Sequence, residues 1–251
     1  MMPLDPRFLT TPLAHRALHD RAQARAENSV AAIQAAIAAG YGIEIDVQPS
    51  KDGVAMVFHD EHLFRLTDRD ALIVALTAEE LGGLPLCDGG GTIPTLRAVL
   101  DLVGGRVPLL IEIKDQHGGM GETDGVLERA VAADLAGYAG PVAVMSFNPH
   151  SVAMMQHLAP GTPRGLTTSA YDPVDWSPLD LATCATLRGI PDYDRVGACF
   201  ISHEAADLGR DRVAALKADG ANILCWTIRS PEAEAEARKV ADNVTFEGYL
   251  P

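Results

Sequence analysis

The sequence predicts an α/β protein with a TIM-type (β/α)8 barrel and a small insertion subdomain after the third strand. Short apolar runs alternate with alanine-rich amphipathic stretches almost to the end of the chain, which is typical of a parallel sheet with helices between its strands. Eight of these runs have the composition of strands, the number that closes a barrel. The length of 251 residues fits one barrel or two small domains equally well. The count of eight strands favours one barrel over two small domains, and we therefore expect residues 1–251 to form a single domain.

The predicted strands and helices follow one another in a regular order. The candidate strands are Pro12–Arg16, Gly42–Gln48, Val54–His59, Val107–Lys114, Pro141–Phe147, Pro163–Thr168, Gly197–Ser202 and Asn222–Ile228. Asn28 and Ser230 stand at helix starts as capping residues, and Gly40 and Gly220 follow helix ends. The candidate helices are Ser29–Ala39, Thr95–Val103, Glu122–Ala136, Pro149–Leu158, Pro178–Leu187, Asp207–Ala218 and Pro231–Val240.

One join between strands is too short for a parallel crossover. Only five residues, Pro49 to Gly53, separate the second and third candidate strands. Parallel strands need a connection of about a dozen residues or more, so this join must be a hairpin that turns at Asp52-Gly53. Folding the chain about that turn brings His59 roughly level with Asp46.

A second irregularity is the long stretch 61–105. It contains the turn-rich segments 81–85 and 87–91, and it is too long for a loop between a strand and a helix. We therefore predict that residues 61–105 form the insertion subdomain, close to the mouth of the barrel.

Two predicted strands carry charged side chains on one face. Apolar and charged residues alternate in the second and fourth candidate strands, so that Glu44 and Asp46 share one face and Glu112 and Lys114 share another. Charges on buried strands are costly unless they are paired, hydrogen-bonded or bound to a metal. Carboxylate oxygens without histidine or cysteine ligands suit a hard ion. We therefore expect one divalent cation, Mg²⁺ or Ca²⁺.

The C-terminal ends of the strands, where the reacting groups of barrel enzymes lie, add His15, Arg16 and Trp226 to the candidates. A divalent ion beside Arg16 and Lys114 would form a locally positive well that suits a phosphate group. Two structural alternatives stay open. The carboxylates of the second strand could pair with these cations merely to stabilise the barrel, and Trp226 could be a packing residue rather than a platform for substrate.

The net charge narrows the class of partner. A formal charge of −14 argues against binding to nucleic acid and against docking on an anionic membrane surface. Residues 1–10 lack the features of a signal peptide, and no stretch approaches the ~20 apolar residues that span a bilayer. We therefore expect a cytoplasmic protein.

The four cysteines are spaced far apart and are expected to be reduced thiols. The sequence leaves the oligomeric state undetermined.

Several short motifs resemble one known family in their order along the chain. They are His15-Arg16, Glu27-Asn28-Ser29, Gly42–Val47, Asp52-Gly53, Val57–Asp60, Leu63 with Arg65 and Thr67, Ile93–Leu96, Ile111–Lys114 and Cys225-Trp226-Thr227. In this order they resemble the glycerophosphodiester phosphodiesterases of the PLC-like phosphodiesterase superfamily, from about Leu13 to Pro251. The resemblance implies a TIM-like barrel with an insertion and a divalent metal. It also implies the hydrolysis of glycerophosphodiesters to glycerol phosphate and an alcohol.

The same resemblance implies a role for each candidate residue. The implied roles are metal ligands for Glu44, Asp46 and Glu112, acid–base catalysis for His15 and His59, and phosphate contacts for Arg16 and Lys114. Imidazole suits acid–base catalysis because its unperturbed pKa of ~6.5 lies near neutral pH. In the family, the glycerol 2-hydroxyl of the substrate is thought to attack first, which gives a cyclic phosphate that water then opens.

Two positions depart from the family pattern. Ala17 stands where the family usually has glycine, and a positive φ there would cost alanine ~1 kcal/mol. The segment 245–251 stands where the family usually has Thr-Asp with a nearby proline, which leaves the role of this segment open. Arg21 and Arg25, in the loop 17–26, are interpreted as solvated charges, with contact to the substrate head group as the alternative.

Three functions fit these observations. The first is metal-dependent hydrolysis of small glycerophosphodiesters such as glycerophosphocholine and glycerophosphoethanolamine. The second is a lysophospholipase D-like activity on lysolipids, for which Ala71–Leu76 would supply an apolar groove, although the same segment is expected to be the insertion's own core. The third is a non-catalytic barrel that binds phosphodiesters.

Overall fold

The computed structural model describes residues 2–251, in which nine strands form one sheet. Eight of them are parallel and close into a barrel, because the first strand pairs with both the second and the last. This confirms the predicted TIM-type barrel. The strands are Leu13–Ala14 (β1), Gly42–Pro49 (β2), Ala55–Val57 (β3), Leu109–Ile113 (β4), Val142–Ser146 (β5), Arg164–Thr168 (β6), Phe200–Glu204 (β7), Asn222–Ile228 (β8) and Asn243–Phe246 (β9).

One of the predicted barrel strands is wrong. The run Val54–His59 shortens to β3 and lies outside the barrel, antiparallel to β2, as the short turn between them requires. The eighth barrel strand is instead β9, which the sequence pattern did not predict. β9 has only four residues and begins with Asn243, a residue type that is depleted in strands. The Asn243 amide donates to the carbonyl of Phe8 at 2.7 Å, so this strand is defined by its contacts rather than by its composition.

Helices lie between the strands, and within residues 2–251 none of them is long and apolar enough to cross a membrane. Ser230 caps the last helix as predicted. The helix after β1 begins one residue later than expected, with Ser29 rather than Asn28 as its N-cap. The helices are Arg7–Thr10 (α1), Val30–Ala39 (α2), Phe64–Thr67 (α3), Ala78–Gly82 (α4), Leu96–Val103 (α5), Val126–Leu135 (α6), Pro149–Leu158 (α7), Leu181–Arg188 (α8), Asp211–Ala218 (α9) and Pro231–Ala237 (α10).

Side chains of the barrel strands alternate between two environments. Outward residues such as Ile43 and Ile45 pack against the helices in the main core. Inward residues near the start of the strands form a smaller apolar core, to which α1 contributes Phe8. Towards the C-terminal ends of β2 and β4 the inward positions are charged instead. The charges predicted on one face of each strand therefore lie inside the mouth of the barrel.

The residues between β3 and α5 form α3, α4 and a 3₁₀ turn at Ile73–Ala75 around a separate apolar core. Ile73 is buried in this core, whereas Leu72 and Val74 are 48% and 47% exposed. The following helix, α5, packs in the main core against the barrel. The limits 61–105 of an insertion subdomain stay a prediction.

Candidate active site

Three carboxylates meet inside the barrel mouth because of the register between β2 and β4. Asp46 is paired with Glu112, and alternation along β2 places Glu44 on the same inward face as Asp46. Glu44 and Asp46 are each 2% exposed, and Glu112 is 6% exposed. One oxygen from each of the three lies within 4.8 Å of the others. The acidic cluster predicted from the sequence pattern is therefore present.

Lys114, directly after β4, lies among these carboxylates. Its Nζ donates to Glu112 Oε1 at 2.6 Å and lies 2.8 Å from Asp46 Oδ1. Burial disfavours the ammonium, but the two carboxylates outweigh this effect and raise the pKa of Lys114 above its usual value. Burial likewise opposes charge on Asp46, yet Lys114, His59 and Arg16 hold the pKa of this carboxyl well below its usual range. Lys114 and Asp46 are therefore both charged at neutral pH.

A left-handed stretch of backbone connects Arg16 to Glu44. The φ angle is +53° at Arg16 and +65° at Ala17, so alanine has the positive φ that glycine would adopt more readily. In this conformation the Arg16 N–H donates to Glu44 Oε2 at 2.9 Å, and the Ala17 N–H donates to the Glu44 carbonyl at 3.0 Å. The Arg16 guanidinium donates to Glu27 at 2.8 Å, and its Nε lies 3.6 Å from Asp46 Oδ2.

The donor set of the acidic cluster fits a hard divalent cation. Buried carboxylate oxygens are the ligands that Mg²⁺ and Ca²⁺ prefer in proteins. Burial, together with the charges of Asp46 and Glu112, raises the pKa of Glu44 well above its usual value. The nearby Lys114 ammonium lowers this pKa but does not reverse the shift. A further positive charge shared by the three carboxylates would remove the repulsion between them.

His15 is held in place by the C-terminal segment. Its backbone N–H donates to the carbonyl of Phe246 at 2.9 Å, and its Nδ1 lies 2.6 Å from Glu247 Oε2. Arg229 Nε donates to the other oxygen of Glu247 at 2.7 Å. The hydrogen bond with His15 and the nearby His19 side chain lower the pKa of Glu247, while burial lowers the pKa of His15. The segment whose role the sequence left open thus contacts a candidate catalytic residue.

His59 is connected to Arg16 through a chain of ion pairs. Its Nδ1 lies 2.7 Å from Asp60 Oδ1, and Asp60 accepts two hydrogen bonds from Arg65, at 2.6 and 2.9 Å. Arg65 also donates to both oxygens of Glu27, at 2.9 and 2.7 Å, and Glu27 accepts from Arg16. Burial opposes charge on Asp60, but the bonds to His59 and Arg65 lower its pKa below the usual value. Arg65 lies on α3, so the segment after β3 contributes to this arrangement.

The side chain of Trp226 forms part of an aromatic wall. Its Nε1 donates to the carbonyl of Ser202 at 3.0 Å, and its ring meets Phe147 edge to face, with 5.5 Å between centroids. Trp226 therefore has packing contacts and also lines the central cavity of about 60 Å³. That cavity is lined by all eight residues predicted for the site: His15, Arg16, Glu44, Asp46, His59, Glu112, Lys114 and Trp226.

Several residues that hold these side chains received no role in the site from the sequence. Asn28 donates to Asp46 Oδ2 at 2.9 Å and accepts from the Asp46 backbone N–H at 3.3 Å, with a φ of +57° that asparagine tolerates. The motifs that resemble the family include Asn28, Glu27 and Arg65, so the resemblance could have indicated that these residues belong to the site. Glu247 had no comparable signal, because 232 residues separate it from His15.

The fold and the site together define a class of protein. The barrel mouth contains buried carboxylates, two histidines that each contact a carboxylate, and two cationic side chains. This combination on a parallel barrel defines a phosphoric diester hydrolase of the TIM-barrel type. The model of the glycerophosphoryl diester phosphodiesterase family matches residues 15–244, and the chain belongs to this family. The family and enzyme class predicted from the sequence are therefore confirmed.

Known relatives and solved structures agree with this assignment. YhdW of Bacillus subtilis is 27% identical over 233 residues, which cover 89% of this chain and 88% of YhdW. The glycerophosphodiester phosphodiesterase of Caldanaerobacter subterraneus is 34% identical over 149 residues, 56% of this chain and 60% of that enzyme. A phosphodiesterase structure from Oleispira antarctica, in complex with the product sn-glycerol-3-phosphate, has a TM-score of 0.73 and 25% identity, covering 94% of this chain and 92% of that one.

Proposed function

We propose that this protein hydrolyses small glycerophosphodiesters, such as glycerophosphocholine and glycerophosphoethanolamine, to sn-glycerol 3-phosphate and an alcohol, and that the reaction depends on a divalent cation. The observation that carries this proposal is a single cavity lined by three carboxylates, two histidines and the cationic side chains of Arg16 and Lys114. The Oleispira antarctica structure, which contains sn-glycerol-3-phosphate, supports the same product.

Glu44, Asp46 and Glu112 would hold one divalent cation, either Mg²⁺ or Ca²⁺. When bound, such an ion offsets negative charge on the phosphoryl oxygens. Arg16 and Lys114 bring further positive charge to the same cavity. Among residues 2–251, Arg16 Nε is buried without a hydrogen-bond partner, so it is free to donate to a phosphate oxygen.

His15 and His59 would act as the acid–base pair. Each has its Nδ1 beside a carboxylate, which leaves Nε2 for the substrate. In the first step one histidine takes the proton of the glycerol 2-hydroxyl as its oxygen attacks phosphorus, and the other protonates the departing alkoxide. The products are a cyclic phosphate and the alcohol. In the second step water attacks phosphorus and gives a proton to the histidine that had protonated the alkoxide. The bond between phosphorus and the glycerol 2-oxygen breaks, the other histidine returns its proton to that oxygen, and glycerol phosphate is released.

The other candidate functions are less well supported. A lysolipid substrate needs an apolar groove, but Ala71–Leu76 buries Ile73 in its own core and does not line the central cavity. A purely binding role is disfavoured because every charged position of the site is present.

Trp226 would support the carbon chain of glycerol. The cytoplasmic location and the absence of nucleic-acid or membrane partners stay predictions from sequence.

The test is release of glycerol 3-phosphate from glycerophosphocholine and glycerophosphoethanolamine, with Mg²⁺ or Ca²⁺ and with EDTA, beside His59→Ala as the inactive control. We expect release that depends on the added metal and is absent from the control. Release from lysophosphatidylcholine alone would favour the lysolipid reading, and no release from any diester, with metal bound, would favour the binding role.

A further inference from the structure

A second cavity, of about 340 Å³, adjoins the central one and shares His15 and Arg16 with it. Every residue that lines this second cavity is charged or a histidine. A phosphodiester bound between the catalytic histidines must direct its two alcohol groups to different sides. The central cavity has the aromatic wall and is the smaller, which suits glycerol, so the second cavity is left for the variable head group.

The second cavity is locally positive in an acidic protein. Its wall carries four arginines, Arg16, Arg21, Arg65 and Arg229, against three carboxylates, Glu27, Asp88 and Glu247, whereas the whole chain carries a formal charge of −14. The lining side chains therefore carry one more positive than negative charge. Asp60 and Asp46, behind the wall, also pair with Arg65 and Arg16, but Arg21 and Arg229 each have a single carboxylate partner. The two outer arginines therefore favour an anion over a cation.

Two of these arginines have free donors. Arg21 bonds to Asp88 through Nε at 2.7 Å, and Arg229 bonds to Glu247 through Nε at 2.7 Å. Within residues 2–251 neither side chain makes another hydrogen bond, so the terminal nitrogens of both guanidinium groups remain available. Their side chains are 74% and 65% exposed. Guanidinium groups of this kind recognise carboxylate and phosphate with paired hydrogen bonds.

The local backbone holds Arg21 at this cavity. Arg21 begins a 3₁₀ turn whose N-cap, Asp20, accepts a backbone hydrogen bond. The loop that carries Asp88 packs directly on this turn, because a Cβ at Gly89 would lie 2.7 Å from the carbonyl oxygen of Ala24, and Gly89 has a φ of +80°. Asp88 is thus kept against Arg21 by a close approach that requires glycine.

We propose, on the basis of the proposed function, that the second cavity binds a head group with its own anion, so that the enzyme prefers serine-type diesters to choline-type diesters. A quaternary ammonium is recognised by the faces of Trp, Tyr and Phe, and none of these lines this cavity among the residues that the structure describes. Arg21 is then a binding residue rather than a solvated charge. Arg25 is not, because it bonds to Gln23 at 2.7 Å and does not line the cavity.

The test compares two pairs of substrates that differ only by an anion. Glycerophosphoserine differs from glycerophosphoethanolamine by a carboxylate, and glycerophosphoinositol 4-phosphate differs from glycerophosphoinositol by a phosphate. We expect kcat/KM to be about fivefold higher for the anionic member of at least one pair, and the two pairs distinguish carboxylate from phosphate. Arg21→Gln should abolish this preference. The matched control, Arg195→Gln, should keep it, because Arg195 is also exposed and also bonds to an aspartate through Nε, but does not line the cavity.

Binding to the inactive His59→Ala protein, measured by calorimetry, separates this inference from the proposed function. If wild-type protein hydrolyses no diester, but His59→Ala binds glycerophosphoserine more tightly than glycerophosphoethanolamine, the proposed reaction is wrong and the anion site stands. If all diesters are hydrolysed with no advantage for either anion, or if Arg21→Gln leaves the advantage intact, the anion site is wrong and the reaction stands.

Discussion

Glu247 and His15 are joined by a 2.6 Å contact between Oε2 and Nδ1, although they lie at opposite ends of the chain. His59 and Asp60 make the same kind of contact at 2.7 Å. In both cases an arginine bonds to the carboxylate, so each candidate catalytic histidine has a carboxylate whose own position is fixed. A carboxylate on Nδ1 selects the tautomer that presents Nε2 to the substrate and stabilises the imidazolium when it forms.

Glu247→Gln should lower kcat about 100-fold with little change in KM, because the amide is isosteric but does not stabilise the imidazolium of His15. Steady-state kinetics across pH 5 to 9 would measure both constants and show an altered pH profile. Glu247→Asp should recover part of the activity. Glu236→Gln, which removes an exposed carboxylate paired with Lys239, is the control and should behave as wild type. A wild-type kcat in Glu247→Gln would exclude the positioning role.

His15→Ala and His59→Ala should each lose turnover by roughly 10²–10⁴-fold, the range that acid–base catalysis contributes. Neither residue belongs to the acidic cluster, so metal binding measured by calorimetry should stay within a few-fold of wild type. Turnover retained in either variant would remove that histidine from the mechanism. Loss of metal binding in either would place it in the metal site instead.

Mg²⁺ or Ca²⁺ should raise the melting temperature, because an ion that binds only the folded state stabilises it. At a concentration of about 100 times Kd the gain is about 2.7 kcal/mol, or roughly 5–10 °C for a domain of this size. Asp46→Asn should abolish the shift. Differential scanning calorimetry at constant ionic strength, with Na⁺ as the control, measures it. An equal shift in Asp46→Asn would mean that the ion binds elsewhere.

Ala17→Val should unfold more easily than wild type, by about 2 kcal/mol or more, because a β-branched residue is strained at a φ of +65° and the site is buried. Ala17→Gly should stay within about 1 kcal/mol of wild type, since relief of strain is offset by the greater freedom of glycine in the unfolded chain. Urea unfolding measures both. Equal stability of the valine and glycine variants would show that the backbone at this position is not constrained.

Stability should fall as the pH is lowered from about 7.5 to 5.5, partly because of His203. This side chain is fully buried, and burial lowers its pKa in the folded state. The unfolded chain therefore takes up the proton first, at about pH 6.5, and the free energy of unfolding decreases below that pH. Urea unfolding at several pH values should show a smaller slope in His203→Gln and an unchanged slope in the exposed control His157→Gln. If the free energy of unfolding depends less on pH in His157→Gln than in His203→Gln, His203 is not the origin of the pH dependence.

Much of the site follows from local sequence. A period of two places Glu44 with Asp46 and Glu112 with Lys114, and parallel pairing of two such strands brings the groups together whatever the remainder of the barrel does. The short connection at Asp52-Gly53 similarly predicts a hairpin, and the antiparallel pairing of β3 with β2 confirms it. These predictions hold because they depend on residues that are close in sequence or on a single pairing.

Other features have no local signal. The strand β9 is short, and it becomes a strand because the gap between β8 and β1 must be closed by backbone hydrogen bonds. The same closure brings Glu247 to His15, and the side-by-side packing of two loops brings Arg21 to the second cavity. The sequence alone determined the barrel class and the charged side chains that β2 and β4 contribute to its mouth, because side-chain alternation is a property of each strand. The tertiary structure decided which strand closes the barrel and which carboxylates and arginines support the histidines. Those contacts join segments that are far apart along the chain, and sequence separation does not reveal which distant segments meet in space.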